Sequence, residues 1–315
     1  MFECQAPTAE GRRRATIQTS PNTASHTLKD VRPSSIAGTW YPGDPVVLAE
    51  SVDRLLSQAK TDPTSGPIVA VIVPHAGHRY SGHVAAHGFA PLAGSQPDLV
   101  AIVAPFHGPH PGQVLTTAHH AYQTPLGDVP VDIEALRRFE LELRTASGLP
   151  LTRIRDDGEH SLEIELPFLQ RVLPHPFPIL PIMLRDQSRP TAEAVARALA
   201  ACLAGRRALL VASSDLSHYQ PAGVARRLDD ALLGRIESFD PAGVLRAEDE
   251  GQGYACGKAA IAAVLWAAAT LGADTVRVVK YSHSGEVTGD DSAVVGYAAA
   301  IVTRPAPAPP TPHGP

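Results

Sequence analysis

Along most of its length the chain alternates short, continuous apolar runs with longer segments of helical period. Residues 67–73 carry a β-branched or small apolar side chain at every position after Pro67. A strand with one wet face would alternate apolar with polar, so an unbroken run predicts a strand buried on both faces. Residues 99–104 and 208–212 repeat the pattern, and residues 178–184 and 275–281 follow it more loosely. Pro181 has no N–H for a ladder, which places its strand near an edge or a bulge. Helices are predicted over 83–92, 133–143, 161–172, 191–204, 224–237 and 258–271. A further helix over 45–56 has Asp44 in position to cap it and Pro45 at its first residue. This alternation predicts an α/β fold, a single domain with a central, mostly parallel sheet flanked by helices. A closing strand over 293–302 follows a Gly-containing turn and could run antiparallel. No repeat and no linker divides residues 32–303, so one domain is expected there.

The two ends read differently. Residues 1–31 combine Arg12-Arg13-Arg14 with many Ser and Thr and no apolar core of a secretion signal. A disordered extension is expected there, and a Pro-rich disordered tail over 304–315.

Composition narrows the class. Hydrophobic residues make up 44% of the 315 and charged residues 19%, which suits a soluble globular chain with a sizeable core. The balance of 27 basic and 32 acidic residues gives no support to a nucleic-acid partner. The longest apolar stretch, 259–271, is too short to span a membrane and reads as a buried helix. Three scattered cysteines, Cys4, Cys202 and Cys256, form neither a disulfide framework nor a metal knuckle, and point to a reducing, cytoplasmic setting.

The chemistry-bearing residues fall just after the predicted strands. Pro74-His75-Ala76-Gly77-His78-Arg79-Tyr80-Ser81-Gly82 follows the first, Phe106-His107 the second, Ser213-Ser214-Asp215-Leu216-Ser217-His218-Tyr219 the fourth and Ser282-His283-Ser284-Gly285 the fifth. The carboxyl ends of parallel strands form the crevice where such folds bind ligands, so these segments should converge. Several imidazoles with one anionic ligand make a metal site with an open position. Each histidine taken alone is equally well a loop residue. Cys256 lies just before a predicted helix, whose positive end would lower a thiol pKa and suit a thiolate ligand or a nucleophile. The alternative is a buried, inert thiol, as expected for Cys202. Asp215 and His218 could form a base with its orienting carboxylate, or Asp215 could cap the segment that follows. Before the 161–172 helix, Glu159-His160-Ser161 offers Ser161 as a cap, with Glu163 and Glu165 near the positive helix end. Arg79 and Tyr80 could line a pocket, with Gly77 and Gly82 giving the loop its freedom.

Several motifs in order resemble the Memo family, whose prokaryotic members include the AmmeMemoRadiSam system protein B. They are Ala37-Gly38-Thr39-Trp40-Tyr41-Pro42, Pro74-His75-Ala76-Gly77 with Tyr80-Ser81-Gly82, and Glu159-His160-Ser161 with Leu166-Pro167-Phe168-Leu169. Ser213 to Tyr219, Ala255-Cys256-Gly257, and Ser284 to Asp290 with Val294-Val295-Gly296-Tyr297 complete the set. The resemblance covers about residues 32–302. It implies a fold like the class III extradiol dioxygenases, non-haem iron enzymes that open catechol rings. It implies a metal held by His75, His107 and Cys256, with Asp215 and His218 as catalytic neighbours. Tyr80, Glu159, His160 and Ser214 would then line the pocket. Those dioxygenases use two His and a Glu, so Cys256 would replace the Glu, and a thiolate favours Fe(II) first, with copper or zinc as alternatives. The family usually has a Gly-Pro-Ser-His type loop where this chain has Ala104-Pro105-Phe106-His107, which changes the size and polarity of the pocket.

Three functions are compatible with these residues. The first is a non-haem iron or copper oxidoreductase acting on a small molecule. The second is a non-catalytic accessory protein working with radical S-adenosylmethionine and AMMECR1-like partners, as the system name suggests. The third is a hydrolase with Cys256 as nucleophile and His218 as base.

Overall fold

The β-branched runs form the parallel centre of a nine-stranded sheet. The structure, a computed structural model, describes residues 30–306. Twelve strands are found among the described residues: β1 Val31–Arg32, β2 Ile68–Val73, β3 Leu99–Pro105, β4 Val114–Thr117, β5 Ala121–Thr124, β6 Gly127–Pro130, β7 Leu151–Ile154, β8 Ile179–Leu184, β9 Ala208–Ser213, β10 His218–Gln220, β11 Thr275–His283 and β12 Val294–Thr303. Parallel neighbours run β2-β9-β3-β8, and every residue of β3 and β8 is buried, as strands without a polar face require. The short strands β4 and β7 extend the sheet beyond β8. At its other end β12 pairs antiparallel with β2, β10 and β11. A separate three-stranded sheet, β1-β5-β6, ties down the start of the described chain. The mixed sheet and its flanking helices make one α/β domain.

The helices are α1 Pro45–Gln58, α2 His78–Phe89, α3 Ile133–Ser147, α4 Leu166–Val172, α5 Arg189–Leu203, α6 Ala222–Glu237, α7 Pro241–Arg246, α8 Lys258–Thr270 and α9 Gly285–Thr288. Helix α8 lies on β2, β3 and β9 and is backed by α5, on which α3 packs in turn; α2, backed by α1 and α4, lies on β2, β11 and β12. Asp44 caps α1 as expected, accepting the N–H groups of Val46 and Val47. No helix among the described residues is long and apolar enough to cross a membrane.

Four expectations need correcting. Helix α2 starts at His78 rather than 83, so Gly82 lies inside it; a Cβ there would sit 3.0 Å from Leu55 Cδ1, and the glycine serves close packing rather than loop freedom. Pro181 lies in the interior strand β8, not at an edge. Its carbonyl accepts the Thr116 hydroxyl at 2.7 Å, so its donor-less side faces β4 just where the β4 ladder has ended. The expected 161–172 helix is a 3-10 turn over Glu163–Glu165 followed by the short α4. Strand β11 joins the sheet through antiparallel pairing with β12, outside the parallel centre. The expectations for residues 1–31 and 304–315 fall largely outside the described residues, although Val31 pairs with Ala121 in a strand.

Candidate metal centre

The parallel register brings three loops to one rim. Val73 at the end of β2 pairs with Ser213 at the end of β9, and Val103 of β3 pairs with Ala212. His75, His107 and the Ser213–Asp215 segment therefore leave the sheet side by side. The ring centroids of His75 and His107 lie 5.3 Å apart, edge to face. A third imidazole, His160, stacks on His107 at 4.8 Å and lies 5.5 Å from His75. Each of the three offers one ring nitrogen, and these atoms lie within 4.8 Å of one another. His160, expected in the pocket lining, lies with His75 and His107 in a group that could hold a metal ion.

The outer nitrogens are already engaged. His75 Nδ1 is 2.8 Å from Ser213 Oγ, and His107 Nδ1 is 2.9 Å from Glu159 Oε1. Each pairing leaves Nε2 for a ligand, the arrangement by which metal-binding histidines have tautomer and orientation fixed. Glu159 also accepts the backbone N–H groups of His107 at 2.6 Å, and of His160 and Ser161 at 3.0 Å each. Thus Glu159, not Ser161, caps this turn, while the Ser161 hydroxyl donates to the Pro105 carbonyl at 2.7 Å. Trp40 covers His160 with ring centroids 4.2 Å apart.

Burial pulls His75 well below the usual imidazole range, and the neighbouring His160 and His107 add to this. It takes His160 to about 4, against the pull of Glu159. Burial lowers His107 too, but the hydrogen bond and charge of Glu159 outweigh it and leave it raised. For Glu159 burial acts upward, and the bonds from His107 and Ser161 overcome it to hold the carboxylate ionised. Burial thus favours the neutral form of His75 and His160, the form in which an imidazole can ligate a metal.

Cys256 Sγ stands 3.1 Å from His75 Nε2 and 3.6 Å from the Asp215 carbonyl. The expected lowering of its pKa is not found. Burial, then the Asp215 carboxylate, push the thiol well up. Loss of hydration outweighs the partial charge of a helix end, about half an elementary charge.

A sequence profile described as Memo-like protein matches residues 32–301. This chain belongs to the Memo family. A MEMO1 family protein of Nitrosopumilus maritimus is 35% identical over 274 residues, covering 85% of this chain and 98% of the relative. One from Methanosarcina mazei is 34% identical over 277 residues, covering 87% and 99%. Among solved structures, an uncharacterized protein of Escherichia coli K12 aligns at a TM-score of 0.47 with 14% identity, over 74% of this chain and 99% of its own.

In this Memo chain several of the remaining expected residues hold the histidine and cysteine loops in place. Asp215 Oδ1 accepts the backbone N–H groups of His75 at 2.8 Å and Ala76 at 3.3 Å. Burial raises its carboxyl to about 7 against the pull of those N–H groups. Among the described residues no hydrogen bond joins Asp215 to His218, so Asp215 anchors the His75 loop. His218 begins β10, packs 5.5 Å from the Tyr254 ring, and keeps a buried Nδ1 without a partner. Ser214 Oγ accepts the Gly257 N–H at 2.9 Å and lies 3.9 Å from Cys256 Sγ, fixing the cysteine's loop. Tyr80 packs in a small cluster with Val84, Tyr297 and Ala299.

Local pattern gave no sign of Arg32, a charged side chain fully buried in the core. It bonds Asp157 and Glu163, each at 2.6 Å, and the Glu159 carbonyl at 2.8 Å, and so steadies the segment that carries Glu159 and His160.

Proposed function

We propose that the rim is a transition-metal centre of oxidoreductase type, with His75 and His107 as its fixed ligands. His160 is the third donor of the cluster, and Cys256 is a further donor through its contact with His75. The reading is carried by one observation: three imidazole nitrogens lie within 4.8 Å of one another while the outer nitrogens of His75 and His107 are tied back to Ser213 and Glu159. Imidazole with a soft sulfur favours Fe(II) or copper, with zinc as the redox-silent alternative. A bound ion of the first kind would supply redox chemistry and Lewis acidity at open coordination positions.

The chain's own groups do the rest. Asp215 and Ser213 hold the His75 loop, Glu159 holds His107, and Trp40 shields one side of His160. His218, lowered by burial, is the neutral imidazole placed to take a proton at the rim. The hydrolase reading is less well supported, because Cys256 contacts His75 rather than His218 and its burial disfavours the thiolate. An accessory role with partner proteins stays compatible with the same site.

The test is metal analysis of protein purified anaerobically without a nickel column, with His75→Ala, His107→Ala, His160→Ala and Cys256→Ser beside the parent. Stoichiometric iron or copper in the parent, lost in His75→Ala and His107→Ala, is expected. Full metal in His75→Ala would refute the assignment. A metal-free parent that saturably binds a partner protein would favour the accessory role.

A further inference from the structure

We propose that Glu165 is a neutral carboxylic acid in the folded chain and donates to Ser213, the hydroxyl that accepts the Nδ1 proton of His75. The consequence for metal binding rests on the reading of His75 as a ligand; the protonation itself does not.

Ser213 Oγ has one proton and three close polar neighbours. They are the Ser161 carbonyl at 2.6 Å, His75 Nδ1 at 2.8 Å and Glu165 Oε1 at 2.9 Å. A carbonyl can only accept, and it is the nearest of the three, so the hydroxyl proton points there. Oγ must then accept from the other two. His75 therefore carries its proton on Nδ1, and Glu165 supplies an O–H. An ionised Glu165 would instead set two acceptor oxygens against each other inside the core.

A second observation points the same way. Glu165 is wholly buried, its Oε2 has no hydrogen-bond partner, and no Lys or Arg among the described residues pairs with it. Two residues earlier Glu163, equally buried, is met by Arg32, Ser34, Ser35 and Tyr41. That contrast separates a buried ion from a buried acid, because an unpaired charge is far more costly to bury than a neutral carboxyl. Burial raises the Glu165 pKa well above the usual range, the Asp215 charge adding to it and the Ser213 bond opposing it. On the far side of the ring, Cys256 Sγ at 3.1 Å from Nε2 is placed to donate to a nitrogen that carries no proton.

The chain of donors thus runs Glu165 to Ser213 and His75 to Ser213, with Ser213 donating to Ser161. It presents His75 with Nε2 bare, the form that can ligate. Without a donor at residue 165 the hydroxyl still gives its proton to Ser161 and accepts from Nδ1, but it loses one of the three bonds that fix its position.

The experiment uses the metal-free full chain, with Glu165→Gln, which keeps a donor, and Glu165→Leu, which removes it. Infrared spectra recorded above neutral pH should show a carboxylic-acid carbonyl band that Glu165→Gln loses. Nitrogen-15 spectra of labelled histidine, assigned with His75→Ala, should give the Nδ1–H form of His75 in the parent and in Glu165→Gln. The same form should persist in Glu165→Leu, because the Ser161 carbonyl still takes the Ser213 proton. Titration with Fe(II) should show weaker binding in Glu165→Leu than in Glu165→Gln, because Ser213 is then held less firmly against His75. An unchanged infrared band in Glu165→Gln, or an Nε2–H ring in the parent, overturns the proposal. A parent with the band and the Nδ1–H ring that binds no metal would sink the metal reading alone.

Discussion

Glu159 grips His107 at two points, accepting its backbone N–H at 2.6 Å and facing its ring Nδ1 at 2.9 Å. The residues are 52 apart in sequence, and the same carboxylate caps the turn that begins with His160. One side chain therefore fixes both the backbone and the ring of one imidazole and the chain entry of its stacked neighbour. A carboxylate with this many N–H donors is stable in a buried place, because each donor replaces part of its lost hydration.

Glu159→Gln is expected to weaken metal binding by about 10- to 100-fold, the usual cost of losing the partner that orients a ligand histidine. The amide cannot accept from both N–H groups as the carboxylate does, so one of its donors would face another donor. Chelator competition on the metal-loaded chain measures the change, with circular dichroism checking that the fold persists. Unaltered affinity in a folded variant would show that His107 is oriented by other groups.

Arg32 is the costliest residue to remove outside the rim. Its guanidinium meets Asp157 and Glu163 with almost no solvent exposure on any of the three side chains. Truncating one partner of a buried ion pair leaves the other charge uncompensated, at about 3–5 kcal/mol. Arg32→Ala should lower unfolding stability by that order in a urea titration. A loss below about 1 kcal/mol would mean that water reaches the carboxylates.

Glu163 gives this cluster a pH signature. Burial acts to raise its pKa, but bonds from Ser34, Ser35, Arg32 and Tyr41 outweigh it and leave it below its ordinary value of 4.5. A carboxyl with a depressed folded pKa contributes stability that is fully present above the ordinary value and lost as pH falls through the folded one. Urea midpoints should therefore decline below about pH 4.5 in the parent, and decline less steeply in Glu163→Gln. Parallel curves for the two proteins would place the acid sensitivity elsewhere.

Much of this molecule is legible in its sequence, and the division follows range. The unbroken runs at 68–73, 99–105 and 208–213 announce buried parallel strands, because solvent on one face would force alternation. Those strands carry His75, His107 and Ser213 to one rim, so the location of the site follows from the pattern. Strands β4 to β7 are only four residues each, too short to establish a period. The roles of Arg32 and Glu159 rest on partners 131 and 52 residues away, which no local pattern encodes. The pKa of Cys256 escapes local pattern for the same reason. The helix end beside it is visible in sequence, whereas its burial and its proximity to Asp215 are tertiary.

Gly257 tests how tightly the cysteine's loop is set. A Cβ there would stand 2.5 Å from the Ser213 carbonyl oxygen and 2.8 Å from Ser214 Cβ, and the first of these is backbone that cannot swing away. Gly257→Ala should displace the Cys256 turn, destabilise the chain by about 1–3 kcal/mol, and weaken metal binding as well. Thermal melting and metal titration read the two effects. A variant with parental stability and affinity would show that the α8 entry can shift away from β9 without loss.

Cys256 itself is expected to be slow. Its thiol is partly buried, and both burial and the Asp215 carboxylate favour the protonated form, which is the poor nucleophile. The contact with His75 Nε2 does not reverse this, because His75 is held neutral by the same burial and so offers no positive charge to the sulfur. Iodoacetamide should alkylate Cys256 in the metal-free folded chain far more slowly than in the unfolded chain at the same pH. Peptide mapping by mass spectrometry resolves it from the other two cysteines. Removing the charge with Asp215→Asn should speed the reaction, and a folded parent that alkylates at the unfolded rate would contradict the protonated thiol.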